Sequence, residues 1–193
     1  MGDRPVVDSS PSAPGASKEK LRIGALAGVG FPRPFAIEGF AKIHKVVGVG
    51  VEYSFLPKMN MFGADTTFGA VAADLRVFPL KNGLFIGLRG GHQWLASRMT
   101  VASGPLSSRE SMEASTWFVN PRIGVLHTFD SGITLGIDAG IQIPVGTATY
   151  SRTGAIAQAN IPNETDKTLV SIANTLGNKT TPTIDILRVG FMF

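Results

Sequence analysis

Apolar residues recur at every second position along most of this chain. In the segment 132–146, Ile133 and Leu135 alternate with Thr134 and Gly136, and the alternation continues to the end of the segment. A period of two predicts β-strands that have one apolar and one polar face. Eight segments show this pattern: 20–31, 35–43, 45–55, 67–79, 84–95, 116–129, 132–146 and 183–193.

The connections between these segments alternate in length. Short connections lie at 43–45, 79–83 and 129–132, and Asn82-Gly83 is typical of a type I′ hairpin turn. Longer connections, which we expect to be loops, lie at 56–66, 96–115 and 147–182. The connection at 30–35 lies at the same end as these longer connections, but it is short. Short turns at one end and long loops at the other are typical of outer-membrane barrels.

Two classes of barrel use such alternation, and they differ in which face meets water. A soluble barrel of the lipocalin type has an apolar interior, whereas a membrane barrel is apolar outside and polar inside. Hydrophobic residues make up 44 % of the chain and charged residues 17 %. The charged residues avoid the apolar face, with Asp185 as the main exception. They are too few for the surface of a soluble barrel but enough to fill a narrow lumen. We therefore predict an all-β fold, an eight-stranded antiparallel up-and-down transmembrane β-barrel over residues 20–193.

Aromatic residues of the apolar face cluster at the ends of the predicted strands. Membrane barrels carry such residues as girdles at both membrane–water interfaces. The predicted girdle at the loop side contains Phe31, Phe35, Tyr53, Phe55, Trp94 and Trp117, and the one at the turn side contains Phe129, Phe191 and Phe193.

The final segment, 183–193, ends the chain on an aromatic residue. Its apolar set is Leu187, Val189, Phe191 and Phe193, and the opposite set is Ile186, Arg188, Gly190 and Met192. The segment resembles the C-terminal assembly signal of Gram-negative outer-membrane proteins, although Asp185 departs from the apolar pattern. The whole chain resembles small eight-stranded outer-membrane barrels of the OmpA/OmpX type. This resemblance implies a location in the bacterial outer membrane, contact with the lipid bilayer and lipopolysaccharide, and recognition by the barrel assembly machinery through the C-terminal segment.

Polar residues of the inward face are the candidate functional residues. Charges in a narrow lumen have to be paired, because desolvation of an unpaired charge is costly. The predicted lumenal network consists of Arg22, Glu38, Lys42, Glu52, Asp74, Arg76, Arg89, Gln93, Asn120, Arg122, Asp138, Gln142 and Arg188. We favour an ion-pair plug in a structural, adhesive or partner-binding protein that acts through its extracellular loops. A narrow small-solute channel with a slight preference for anions is the alternative.

A lipid-modifying enzyme is a further hypothesis, based on His92 with Ser97 near the loop side. Their spacing does not reproduce the lipase pattern, and no carboxylate is placed to orient the imidazole. We therefore predict that the protein is not an enzyme. His44 and His127 lack metal-ligand spacing, and the chain has no Cys, so we expect neither a metal nor a cofactor.

Two segments fall outside the strand pattern. Residues 1–19 are rich in Pro, Ser, Gly and Ala, which predicts a disordered leader. The first 20 residues lack the apolar core of a signal peptide, so we expect the sequence to be the mature form of an exported protein. Within 147–182, residues 163–179 have the spacing of a short amphipathic helix that could dock a protein partner, although a loop that packs on itself is favoured. The net charge of +4 is scattered rather than clustered, which argues against binding to nucleic acid.

Overall fold

The alternating segments form one closed barrel. The computed structural model describes residues 21–61, 64–80, 83–103, 106–153 and 178–193. Every strand pairs in antiparallel fashion with its neighbours along the chain, and the last strand closes on the first. The strands are β1 (Leu21–Phe31), β2 (Phe35–Ile43), β3 (Val47–Met61), β4 (Ala64–Val77), β5 (Leu84–Ser103), β6 (Leu106–Thr128), β7 (Ile133–Thr153) and β8 (Thr181–Met192). The predicted eight-stranded antiparallel barrel is confirmed.

Closure of the barrel fixes the C-terminal residue. The Phe193 amide donates to the Ile23 carbonyl at 3.0 Å, and the Ile23 amide donates to the Phe193 carbonyl at 2.9 Å. The end of the chain is therefore a paired part of the sheet. An unpaired strand edge would leave backbone polar groups in hydrocarbon, where each would cost several kcal/mol.

The barrel is apolar on the outside and charged on the inside. Val51, Ile86 and Ile137 are exposed by 62 %, 61 % and 57 %, whereas Arg76 and Arg188 are exposed by 0 % and 1 %. This arrangement inverts that of a soluble protein, and it matches a barrel whose outer face contacts lipid tails. The barrel is a transmembrane barrel. No helix in the described ranges is long and apolar enough to cross a bilayer.

The described parts of two predicted loops are strands. Residues 56–61 and 64–66 belong to β3 and β4, and residues 96–103 and 106–115 belong to β5 and β6, with partners such as Met59↔Thr66 and Ser97↔Met112. The loop prediction for these segments is wrong because it relied on alternation of apolar and polar residues. Beyond the lipid both faces of a hairpin can meet water, so its strands can continue without that alternation. β7 likewise extends to Thr153, seven residues beyond its predicted end at 146.

A β-bulge in β8 changes which side chains face inward. Val29 pairs with Leu187 and the next residue, Gly30, pairs with Asp185, so Ile186 is the extra residue. The shift in register reverses the alternation on one side of the bulge. Asp185 therefore points into the lumen, and Ile186 faces outward with 62 % exposure. The prediction that Asp185 lies on the apolar face and Ile186 on the opposite face is wrong, because simple alternation assumes a regular strand.

The turn side has compact connections. His44 and Lys45 adopt positive φ angles of 50° and 61° in the β2–β3 turn, as a type I′ turn requires. Gly132 has φ 86° in the β6–β7 turn, where glycine lacks the Cβ that would make this conformation costly. The predicted Asn82-Gly83 turn includes residues 81–82, which lie outside the described residues.

Candidate functional site

A network of arginines and carboxylates crosses the middle of the lumen. Arg76 of β4 pairs with Glu38 of β2 at 2.6 Å and with Asp74 of its own strand at 2.6 Å. Asp74 also pairs with Arg122 of β6, which bonds Asp138 of β7 at 3.2 Å. These contacts link four strands through side chains that are almost fully buried.

Arg188 joins the two halves of this network. Its guanidinium donates to Glu38 at 2.6 Å, to Glu52 at 2.7 Å and to Asp138 at 3.0 Å. It also bonds Asp185, which the β8 bulge turns inward. Each planar guanidinium offers five donors, so one arginine can hold several carboxylates at once.

The network contains one carboxylate that the sequence pattern does not predict. Arg89 pairs with Glu52 at 2.7 Å and with Asp185 at 3.3 Å. In the middle of the lumen, four guanidiniums and five carboxylates are therefore joined by ion pairs, and we call this set the central charge layer. Its members are Arg76, Arg89, Arg122, Arg188, Glu38, Glu52, Asp74, Asp138 and Asp185. Asp185 was not predicted as a lumenal residue because the bulge that directs it inward is not visible in the alternation.

An apolar layer closes the lumen on the turn side of the central charge layer. It consists of Leu26, Phe40, Phe78, Phe85, Leu126 and Met192, each 3 % exposed or less. Phe78 and Phe85 pack with ring centroids 5.6 Å apart, and the Arg76 guanidinium lies 4.4 Å from the centre of the Phe40 ring. Sequence reasoning missed this layer because it assigned inward positions to polar residues. The alternation nevertheless indicated this layer. Phe40 lies two positions from Glu38 and Phe85 four positions from Arg89, so each ring shares the inward face of its strand.

Glycines make room for these rings. Gly48 lies beside Phe40 and Phe78, and a Cβ on this glycine would collide with the Phe40 ring. Gly136 leaves space for Leu126 in the same way, since its Cβ would lie 2.7 Å from a Leu126 methyl group. Inward glycines next to large inward side chains allow an eight-stranded lumen to be filled by side chains.

A polar layer lies on the loop side of the charges. Arg33, in the β1–β2 connection, turns inward and donates to Gln142 at 2.8 Å, and Gln142 donates to Gln93 at 2.9 Å. The Arg33 guanidinium also lies 4.8 Å from the centre of the Phe118 ring. Burial, followed by the neighbouring Arg89 charge, lowers the pKa of Arg33 to about 10, so it stays protonated at neutral pH. The direction of the Arg33 side chain could not be predicted from the sequence, because it lies between Pro32 and Pro34 in a short connection without alternation.

The remaining predicted lumenal residues lie at two different heights. The Asn120 amide is buried and donates to Thr183 at 3.0 Å. Arg22 and Lys42 also face inward, but they lie at the turn-side mouth, beyond the apolar layer. The structure therefore divides the predicted single network into a central layer and a separate basic opening.

Four of the six aromatic residues predicted for the loop-side girdle form a continuous row on the outer face. Ring centroids are 5.8 Å apart for Phe35–Phe55, 5.7 Å for Tyr53–Phe55 and 6.4 Å for Tyr53–Trp94. The Trp94 ring covers Gly69, its partner on β4. Trp117 and Phe31 also lie on the outer face, exposed by 63 % and 55 %. At the turn side, Phe129, Phe191 and Phe193 are exposed, with the rings of Phe191 and Phe193 centred 6.4 Å apart.

His92 belongs to the same aromatic row. Its ring centroid lies 5.0 Å from that of Trp117 and 6.2 Å from that of Trp94. Ser97 lies on the opposite face of β5, is buried and bonds Thr66 at 3.3 Å. The two side chains therefore cannot form a nucleophile–base pair. No group of three or more His, Asp or Glu residues in the described ranges could hold a metal ion.

Two further predictions concern segments that lie partly or wholly outside the described residues. The leader at 1–19 precedes Leu21, where the description begins. Most of the helix predicted at 163–179 falls within 154–177.

Comparisons with known proteins agree with the fold. The sequence matches no protein-family model, and none of the curated proteins matches it. The barrel is similar to a major outer membrane protein from Thermus thermophilus, at 9 % identity over 90 % of this chain and 98 % of that chain, with a TM-score of 0.51. Acinetobacter baumannii CarO2 matches at 13 % identity over 89 % of this chain and 98 % of that chain, with a TM-score of 0.49. The likeness to the Thermus protein shows a shared fold, so the predicted resemblance to outer-membrane barrels is confirmed at the level of architecture.

Proposed function

We propose that the protein resides in the bacterial outer membrane as a closed barrel with a plugged lumen, and that it acts through the parts that project from the loop side. Its role would be structural, adhesive or partner-binding. The apolar outer face, the aromatic girdles and the fold shared with the Thermus protein support this location. Short turns face the periplasm in such barrels, so the tall hairpins would project outward.

The observation that carries the proposal is the stacking of three filled layers across the lumen. Arg33, Gln142 and Gln93 lie above the central charge layer, and the apolar layer lies below it. A solute would have to separate several buried ion pairs and then pass between tightly packed phenylalanine rings. Breaking a buried ion pair leaves an uncompensated charge at a cost of about 3–5 kcal/mol, so the plug should be closed at rest.

The projecting part is built mainly from β5, β6 and β7. β5 continues nine residues beyond Trp94 to Ser103, roughly 30 Å of strand at about 3.3 Å per residue. These strands offer a surface for a protein partner, to which the segment 147–182 could contribute. With this placement, the Trp117 and His92 rings, which pack 5.0 Å apart, would lie at the height of lipid headgroups and could contact lipopolysaccharide.

The C-terminal strand provides a further partner surface during assembly. Leu187, Val189, Phe191 and Phe193 all face outward, as the resemblance to the assembly signal requires. We propose that the barrel assembly machinery recognises this row before β8 closes on β1. We propose no catalytic role, since His92 and Ser97 point to opposite faces.

Planar-bilayer recording tests the plug. We expect the purified protein, inserted into planar bilayers, to show no steady openings. A channel-forming porin in the same bilayers serves as the control for detection. Arg76→Ala should still be closed, because the apolar layer remains in place.

Discrete, steady openings of the unaltered protein would overturn the plug proposal. An anion preference in those openings would then favour the narrow channel, since Arg33 lies near one mouth, and Arg22 and Lys42 at the other.

A further inference from the structure

A basic cavity opens at the turn-side mouth of the lumen. Its volume is about 280 Å³, and it is lined by Arg22 of β1, Lys42 of β2 and Lys45 of the β2–β3 turn, together with Asp130 and Thr128. We call it the basic vestibule. Three cations surround it against one carboxylate, which reverses the charge balance of the central charge layer.

The cations are placed where they repel one another. Arg22 and Lys42 are directly opposite on neighbouring strands, an arrangement that destabilises a sheet when the charges have the same sign. The Lys42 ammonium lies 3.7 Å from the centre of the Phe78 ring, at the boundary with the apolar layer. No carboxylate of the described residues forms an ion pair with Lys42 or Lys45. Elsewhere in the lumen, each buried arginine of the central charge layer has at least one carboxylate partner.

We propose that the basic vestibule binds an oxyanion of the phosphate class. A phosphate carries enough negative charge and enough acceptor oxygens to bridge cations from two strands and a turn, through charge-assisted hydrogen bonds. The cavity also has room for part of the group to which the phosphate is attached. With the proposed placement in the outer membrane, the vestibule faces the water at the turn side and lies close to the inner-leaflet headgroups. The phosphate could therefore come from a soluble compound or from an anionic phospholipid.

Binding can be measured through thermal stability, because a ligand that binds only the folded state raises Tm in a saturable way. The barrel is prepared in lauryldimethylamine oxide, which contains no phosphate. One arm adds inorganic phosphate at constant ionic strength, with chloride as the reference. The second arm adds a short-chain phosphatidylglycerol, with the matching phosphatidylcholine as the reference.

The variants are Lys42→Gln and Lys45→Asn, the latter chosen because Asn tolerates the left-handed φ of this position. Lys179→Gln is the matched control, since Lys179 is exposed near the start of β8 at the loop side. We expect saturable binding in at least one arm, weakened about tenfold by either vestibule variant and unchanged by the control. Without phosphate, Lys42→Gln should raise Tm, because it removes the repulsion from Arg22.

The pattern across the two arms identifies the source of the phosphate. Saturation by inorganic phosphate alone indicates a soluble ligand, and saturation only by phosphatidylglycerol indicates a lipid headgroup. Absence of saturable binding in both arms would overturn the proposal. Equal affinities of the two vestibule variants and the unaltered protein would overturn it as well.

Discussion

At the scale of single residues, one lumenal side chain can hold strands that are far apart in sequence. Arg188 of β8 bonds carboxylates of β2, β3 and β7, which are separated from it by 150, 136 and 50 positions. Such buried ion pairs contribute little net stability compared with an apolar core, because desolvation offsets their attraction. Their clearer effect is on register, since a strand that slips by one residue would turn its charges toward lipid.

Removal of this arginine alone should nevertheless be costly, because its carboxylate partners would remain buried. Arg188→Met would leave Glu38, Glu52 and Asp138 with less positive charge around them, and we expect a loss of about 3–5 kcal/mol in the free energy of unfolding. Urea unfolding in lipid vesicles, followed by tryptophan fluorescence, measures this loss. Arg98→Met is the matched control, because Arg98 is exposed and such substitutions usually change stability by less than about 0.5 kcal/mol. Equal midpoints for the two variants would argue against a structural role of the network.

At the scale of elements, β8 is the irregular strand of the barrel. Ile184, Ile186 and Leu187 all face outward around the bulge, with exposures of 48 %, 62 % and 47 %. Gly30 on β1 permits this arrangement, because a Cβ there would collide with Asp185. The bulge thus adds a fifth carboxylate to the central charge layer and keeps the outer face apolar.

Site-directed spin labelling can test the bulge directly. The chain has no native Cys, so Ile186→Cys and Leu187→Cys can each be labelled without competing thiols. We expect both labels to collide frequently with molecular oxygen, which dissolves in lipid, and rarely with a water-soluble nickel chelate. Val189→Cys is the control, since this residue faces lipid with or without the bulge. Low oxygen accessibility at Ile186 would mean that the strand alternates regularly.

At the scale of the whole molecule, the barrel places its charges where a soluble protein places its apolar core. Across the described strands, the outer band between the two groups of aromatic residues consists mainly of exposed apolar side chains, so we expect the folded state to require an amphiphile. This requirement follows from the arrangement as a whole, since the alternation by itself would also suit a soluble barrel whose apolar face is turned inward.

Refolding from urea should therefore succeed only with detergent or lipid. We expect the unheated protein to migrate differently from the boiled protein in a denaturing gel, because the closed barrel resists unfolding. In buffer without amphiphile, we expect aggregation and loss of this difference. A folded, monodisperse protein in plain buffer would contradict the transmembrane assignment.

The sequence by itself determined the number of strands, their order and the face that each side chain takes in a regular strand. These features follow from an alternation of period two that lipid enforces on one side of the sheet. The same alternation predicts the inward direction of most side chains in the central charge layer, because Glu38, Arg76, Arg89 and Arg122 lie in regular strands.

Only the tertiary structure decided which of the inward residues meet. The β8 bulge turned Asp185 inward, the β1–β2 connection brought in Arg33, and the distance along the barrel axis separated Arg22 and Lys42 from the central layer. The tertiary structure also decided how far the hairpins project, because strands beyond the lipid are stabilised by pairing with a neighbour and need no alternation. Alternation indicates only which face of the sheet is apolar. The bulge, the position of each residue along the barrel axis and its side-chain partners depend on contacts across a closed barrel.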